Sequence, residues 1–203
     1  SEGRLTGDAM PAGPRSVDDD APLLAVSLIV RDEAEAVVRT LAPCADFADR
    51  AIVLDTGSVD ETLERVLAAR LPFRHGVEVR QDGHSEDAFN FSNARNTALD
   101  YAAPARWALV LSADESVDGG GALRAFLASY EGPETAMSVR LCAEGAETLA
   151  GRVVRVGGPW RFEGVVHEIL VNRAEQRDAP ETIIPGVAIV HRATDPERRI
   201  RRM

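Results

Sequence analysis

Ala108-Leu109-Val110-Leu111 runs straight into Ser112-Ala113-Asp114-Glu115, and this junction restricts the fold more than any other stretch of the chain. A short, unbroken apolar run without polar alternation marks a strand buried on both faces, the kind found inside parallel sheets. Carboxylates placed directly after such a strand stand at the carboxyl edge of the sheet, where α/β proteins form their ligand crevice. The pattern recurs. Ala51-Ile52-Val53-Leu54 ends in Asp55-Thr56-Gly57-Ser58-Val59-Asp60, and the apolar run 23–30 ends in Arg31-Asp32-Glu33.

Between these runs lie helical signals. Val37, Val38 and Leu41 mark a helix after the first strand, and Ser58 with Glu61 three residues on reads as a capping box opening a helix through Leu67. Residues 77–80 form a third short strand. Residues 86–103 carry Phe89, Phe91, Ala94, Ala98, Leu99 and Tyr101 on a helix that Ser92 can cap and that contains Arg95 and Asn96. Alternating strands and helices with short links predict a mostly parallel central sheet with helices on both faces. After Glu115 the rhythm changes: Gly119-Gly120-Gly121 reads as a turn, 122–130 as a helix, and 136–142 and 152–156 as a smaller antiparallel addition in the C-terminal half, the expected acceptor side. Residues 1–21, rich in Gly, Pro and Asp, read as a disordered leader, leaving 22–203 as a single domain. The basic end 198–202 reads as a solvated helix start.

Of the 203 residues 45% are apolar, enough to bury a full core. A formal net charge of -10 disfavours nucleic acid and anionic membrane surfaces as partners. An anionic substrate therefore needs local compensation from a metal ion, helix N-termini, or arginines such as Arg95 and Arg161. Cys44 and Cys142 lie far apart without a CxxC spacing, which fits a reducing cytoplasm, and no apolar run approaches the about 20 residues that span a bilayer.

The strand-end carboxylates suit two tasks. Asp55 and Asp32-Glu33, although typical of turns and caps, can accept hydrogen bonds from a base N–H or ribose hydroxyl if their strand ends converge. Asp114 and Glu115 follow a buried strand and lose solvation unless paired or metal-bound, which suits Mg²⁺ or Mn²⁺. Such a cation takes one or two protein carboxylates and completes its shell with water and phosphate oxygens. In Trp160-Arg161-Phe162-Glu163-Gly164-Val165-Val166-His167-Glu168, the His-Glu pair lacks a second histidine at HExxH spacing, but Glu168 can act as a general base if the fold sets it opposite the metal. His191, closing the run Ile189-Val190, is either a ligand or an ordinary strand-end histidine. Ser112 lacks a GxSxG elbow, and neither GxGxxG nor GxxxxGK[ST] occurs, so a serine hydrolase, a dinucleotide fold and a P-loop lose support. A nucleotidyltransferase is a weaker alternative, because Arg31-Asp32-Glu33 is not a Gly-rich, basic phosphate loop.

Taken in order, Ser27-Leu28-Ile29-Val30-Arg31-Asp32-Glu33, Asp55-Thr56-Gly57-Ser58-Val59-Asp60-Glu61-Thr62, Phe91-Ser92-Asn93-Ala94-Arg95-Asn96 and Leu111-Ser112-Ala113-Asp114-Glu115 resemble family 2 glycosyltransferases of the GT-A fold. Arg161-Phe162-Glu163-Gly164-Val165-Val166-His167-Glu168 and Val190-His191 resemble the subgroup of that family found beside tetratricopeptide repeats. The resemblance implies a GT-A-like α/β fold that moves a hexosyl or N-acetylhexosaminyl group from a nucleotide-sugar donor, UDP being the first guess, to an acceptor hydroxyl. Transfer would be inverting and would use Mn²⁺ or Mg²⁺. It implies a donor site at Val30, Asp32, Glu33, Asp55, Gly57, Ser58, Arg95, Ser112 and Ala113. Asp114 and His191 would hold the metal, with His167 the competing ligand, and Glu168 would be the acidic base. The family usually has Asp-Ala-Asp-Glu, whereas Ser112 brings no charge to the first acidic position. The chain also stops soon after His191, where family members often continue, which implies a missing lid or acceptor segment. Both departures make a catalytically inactive nucleotide-sugar-binding module the alternative function.

Overall fold

Leu24, Val26, Leu28 and Val30 pack into one core with Ala51, Val53, Trp107, Leu109 and Leu111, while the intervening Ala25, Ile52, Ala108 and Val110 pack into layers on the opposite face. The strands thus keep the period of two that the apolar runs conceal, because neither face meets water. Full burial of each leucine or valine is worth about 1.5–3 kcal/mol relative to exposure. The computed structural model describes residues 20–82, 89–164 and 168–192. The expected leader up to residue 19, the start of the 86–103 segment and the basic end 198–202 lie outside them.

The first half runs β1 (Leu24–Val30), α1 (Val37–Leu41), a 3-10 turn (Ala42–Asp46), β2 (Arg50–Asp55), α2 (Thr62–Ala68), β3 (Val77–Gln81), α3 (Phe91–Asp100) and β4 (Trp107–Leu111). The second comprises β5 (Glu115–Asp118), α4 (Gly120–Ser129), β6 (Ala136–Ala143), β7 (Ala146–Arg155), β8 (Trp160–Glu163), β9 (Ile169–Asn172), β10 (Arg177–Asp178) and β11 (Ile183–His191). An eight-stranded sheet has the order β3-β2-β1-β4-β7-β6-β11-β5, and a three-stranded antiparallel sheet has the order β10-β9-β8. Pairings from β3 through β4 are parallel; beyond β4 the pairings β4-β7, β7-β6 and β11-β5 are antiparallel, and β6-β11 is parallel. After β3 the chain returns to the far side of β1, so the strand order reverses between β1 and β4, a topological switch point.

Helices cover both faces, as the alternation predicts. Val37, Leu41, Cys44, Phe47, Val66, Leu123 and Leu127 line one face, and Leu99 and Ala102 with Trp160, Phe162 and Leu170 of the small sheet line the other.

Several local expectations are corrected. The capping box at Ser58 does not form: α2 begins at Thr62, whose N–H donates to Asp60 Oδ1 at 2.9 Å. The cap of α3 is Asn90, which accepts from the Asn93 N–H at 3.0 Å, and Ser92 lies inside the helix. Only Gly119 turns, at φ 81, while Gly120 and Gly121 open α4. A Cβ on Gly119 would stand 2.0 Å from the Gly186 carbonyl oxygen, and one on Gly120 would strike the Phe47 ring, so this corner needs glycine for space as well as conformation. β5 and the first half of β7, each with a single large apolar residue (Val117 and Leu149), are strands that the apolar pattern does not announce.

Candidate functional site

Register brings three strand ends to one edge: Val30 pairs with Asp55, and Leu28 pairs with Leu111. The loops after β1 and β2 are laced together there. Val30 O accepts from Thr56 N–H at 2.9 Å, Asp32 N–H donates to Ser58 Oγ at 2.9 Å, and Val59 N–H donates to Asp32 Oδ1 at 2.8 Å. Glu33 N–H donates to Thr62 Oγ1 at 2.8 Å, and Ala34 N–H donates to Asp60 Oδ2 at 3.2 Å. Asp55 is buried and accepts from both the Ser58 N–H, at 3.1 Å, and the Ser58 hydroxyl. A relay therefore runs from the Asp32 amide through the Ser58 hydroxyl to the Asp55 carboxylate. Asp32 sits at φ 53 and Gly57 at φ 107, both left-handed conformations of the kind Asp and Gly tolerate best in turns. Val30, Asp32, Asp55, Gly57 and Ser58 thus share one hydrogen-bonded floor, and Glu33 beside it is buried.

Across the switch point, Ser112 to Glu115 form a tight turn between β4 and β5. Glu115 N–H donates to Ser112 O at 3.1 Å, and Ser112 N–H donates to Glu115 Oε2 at 2.7 Å. Arg152 grips the same carboxylate at 2.9 and 3.1 Å and also donates to Val110 O at 3.2 Å. The Thr40 hydroxyl is shared between Ala113 O at 2.5 Å and Glu115 O at 2.9 Å. Arg192 N–H donates to Asp114 O at 2.8 Å. Glu115 is therefore a buried structural carboxylate, and Asp114 is the acid left for a ligand. β11 pairs antiparallel with β5, His191 opposite Glu115, which places His191 Nδ1 3.7 Å from Asp114 Oδ1.

A divalent cation fits this pair. Two donors each about 2.1 Å from a shared ion stand roughly 3.0–4.2 Å apart, depending on the angle between them. No group of three or more metal-ligating side chains occurs among the described residues, so phosphate oxygens and water would supply the rest of the shell. His167 lies outside the described residues.

On the opposite flank, α3 carries the small sheet. Arg95 Nε lies 2.5 Å from Glu168 Oε1, and the Arg95 guanidinium lies over the Phe162 ring at 5.7 Å. Asn96 accepts from the Phe162 N–H and donates to the Phe162 carbonyl, each at 2.9 Å. The Ser92 hydroxyl donates to Gly164 O at 2.5 Å. Arg161 is engaged at the other end of α3, where it pairs with Asp100 at 3.2 Å. Arg95, expected on the donor, pairs with Glu168, the expected base. Arg152 and Thr40 are absent from the sequence reading. An arginine directly before the buried pair Val153-Val154 is the signal for Arg152, since a charge drawn toward a core needs a carboxylate partner. Thr40 carries no such signal.

No family model matches the sequence. A TPR repeat-containing protein of Synechococcus elongatus is 43% identical over 94 residues, which are 46% of this chain and 21% of that protein. The chain therefore spans well under two thirds of that relative's length. Among solved structures, S. aureus TarS 1-349 in complex with UDP-GlcNAc superposes with a TM-score of 0.51 at 18% identity, covering 61% of this chain and 36% of that one. GalNAc-T7 with UDP, GalNAc and Mn²⁺ superposes with a TM-score of 0.52 at 12% identity, covering 88% of this chain and 45% of that one. These neighbours are GT-A glycosyltransferases, and the present chain has a GT-A-like α/β fold.

Proposed function

We propose that the chain is a glycosyltransferase of family 2, allied to the subgroup associated with tetratricopeptide repeats, that moves a hexosyl or N-acetylhexosaminyl group from a UDP-sugar to an acceptor hydroxyl with inversion. Residues 22–203 would form its single transferase domain, working in the cytoplasm. The observation that carries the reading is the approach of Asp114 to His191, 3.7 Å apart, beside the switch point between β1 and β4. The UDP complexes of the fold neighbours and the repeat-containing relative support it.

In this reading the floor of Val30, Asp32, Asp55, Gly57 and Ser58 receives the nucleoside, with Asp55 accepting from the base. Ser112 and Ala113 line the donor, and Ser112 offers a hydroxyl to the ribose. Asp114 and His191 hold the cation, whose charge would offset that of the departing diphosphate. The imidazole nitrogen favours Mn²⁺ over Mg²⁺, whose ligands are oxygens. Glu168 takes the acceptor hydroxyl proton as the acceptor oxygen bonds to the anomeric carbon and the bond to the diphosphate breaks, its electron pair leaving with the diphosphate. Arg95 keeps Glu168 oriented toward the acceptor.

Calorimetry with Mn²⁺ and UDP, then GDP and dTDP, tests this reading: metal-dependent binding is expected, and an intact fold that binds no nucleoside diphosphate overturns it. Ser112, where the family usually places an acid, favours a second reading, a nucleotide-sugar-binding module without turnover. Donor binding without metal-dependent sugar release, even with pooled acceptors, would select it.

A further inference from the structure

Every backbone carbonyl from residue 112 to residue 115 has a partner. Ser112 O accepts from the Glu115 N–H, Ala113 O and Glu115 O accept from the Thr40 hydroxyl, and Asp114 O accepts from the Arg192 N–H. The turn is closed in both directions, because the Glu115 side chain returns to the Ser112 N–H at 2.7 Å. Glu115 can hold that position only while its charge is matched, and both its oxygens face Arg152 at 2.9 and 3.1 Å. The pair is deeply buried, with side-chain exposures of 3% for Glu115 and 15% for Arg152. Arg152 also binds Val110 O, so one guanidinium fastens the end of β4 and the start of β5 together.

We infer that Glu115 and Arg152 are positioning residues for the cation: they fix the turn whose remaining ligand group, the Asp114 carboxylate, is thereby aimed at His191. The inference rests on the metal-assisted donor site proposed above. A loop aspartate free to rotate would face a cation only part of the time. A turn pinned from α1 by Thr40, from β7 by Arg152 and from the residue after β11 by the Arg192 amide holds the Asp114 backbone in one place. Glu115 follows Asp114 directly, yet its part is to shape the turn.

The test uses the whole chain carrying Glu115→Gln with Arg152→Met, which removes both buried charges at once and avoids stranding either. Three quantities are read: backbone amide exchange without ligand, Mn²⁺ affinity by electron paramagnetic resonance in the presence of UDP, and UDP binding in chelator. Exchange at Ser112, Glu115 and Arg192 should rise about tenfold or more while amides at 107–110 stay protected. Mn²⁺ affinity should fall about 10–100-fold, the effect usual for outer-shell partners, with metal-free UDP binding unchanged. Exchange that rises throughout β4 and β7, or an unaltered Mn²⁺ affinity, overturns the inference. Should the double variant fail to fold, Thr40→Val decides, since it releases the same turn without touching a charge. It should give the same local exchange and a weaker loss of Mn²⁺, and wild-type behaviour in both would overturn the inference. If the wild-type chain binds neither UDP nor Mn²⁺, the donor-site reading fails. The turn lock is then judged by exchange alone, and unchanged exchange at 112–115 overturns it.

Discussion

Arg95 Nε sits 2.5 Å from Glu168 Oε1, so a guanidinium on α3 grips a carboxylate one residue ahead of β9. The contact sets an order of effects on transfer. Glu168→Gln should lower the transfer rate about 10²–10⁴-fold, the usual contribution of a general base, and leave UDP affinity unchanged. Arg95→Lys keeps a charge but loses the planar fork, and should cost less than the loss of Glu168 itself. Steady-state transfer assays paired with UDP calorimetry on the same samples check both, and equal losses in transfer and UDP affinity would remove Glu168 from the chemistry.

Asp114→Ala should reduce UDP affinity in Mn²⁺ to the level measured in chelator. Ser112→Asp should do the opposite, tightening Mn²⁺ by adding a carboxylate at the turn. Titration of Mn²⁺ into each variant with UDP present checks the pair of directions. A Ser112→Asp variant that binds Mn²⁺ no better would show that the first position of this turn does not face the ion.

Asp49 links the start of β1 to α4. Its carboxylate accepts from Leu23 N–H at 2.7 Å and Leu24 N–H at 3.0 Å, and Arg124 pairs with it at 3.0 Å. Burial pushes its pKa up, but the Arg124 hydrogen bond, the two amides and the Arg124 charge outweigh burial and hold it below the ordinary carboxylate value. The folded state thus binds this proton less readily than the unfolded chain. The stabilisation is complete above the unfolded pKa of about 3.9 and disappears as pH falls through the lower folded value. Asp49→Asn should cost about 1.5–3 kcal/mol at neutral pH and flatten the acid limb of stability, as read from urea melts at stepped pH.

Cys44 is buried in the 3-10 turn that follows α1, where burial pushes its thiol up to about 12 against the pull of Arg192. The native protein should therefore leave Cys44 unmodified by a thiol reagent at pH 8, and modification should follow unfolding. Mass spectrometry of labelled peptides with and without denaturant checks this, and rapid native labelling would mean that the α1 region opens on its own.

The strands of the first half were legible because β1, β2 and β4 are buried on both faces and so read as unbroken apolar runs. Their acidic ends announced the edge at which Val30, Asp55 and Asp114 meet. What could not be read was long-range. Nothing local tells Ser92 to seek Gly164 rather than cap its own helix, or Glu115 to turn toward Arg152, because both partners arrive through strands far away in sequence. Ser58 misled for a related reason: the same hydroxyl that suits a cap is used between Asp32 and Asp55. β5 escaped notice because Glu-Ser-Val-Asp has no apolar face of its own and is held by pairing with β11.

Asn96 has a consequence for solubility. β8 is an outer strand of the small sheet, and its Phe162 N–H and carbonyl both bond to the Asn96 side-chain amide. That amide carries one donor and one acceptor side by side, so it imitates the backbone of a neighbouring strand and ends the ladder there. A strand edge filled in this way offers no template at Phe162 for a second chain to add onto, so a helix residue protects the molecule against edge-to-edge aggregation.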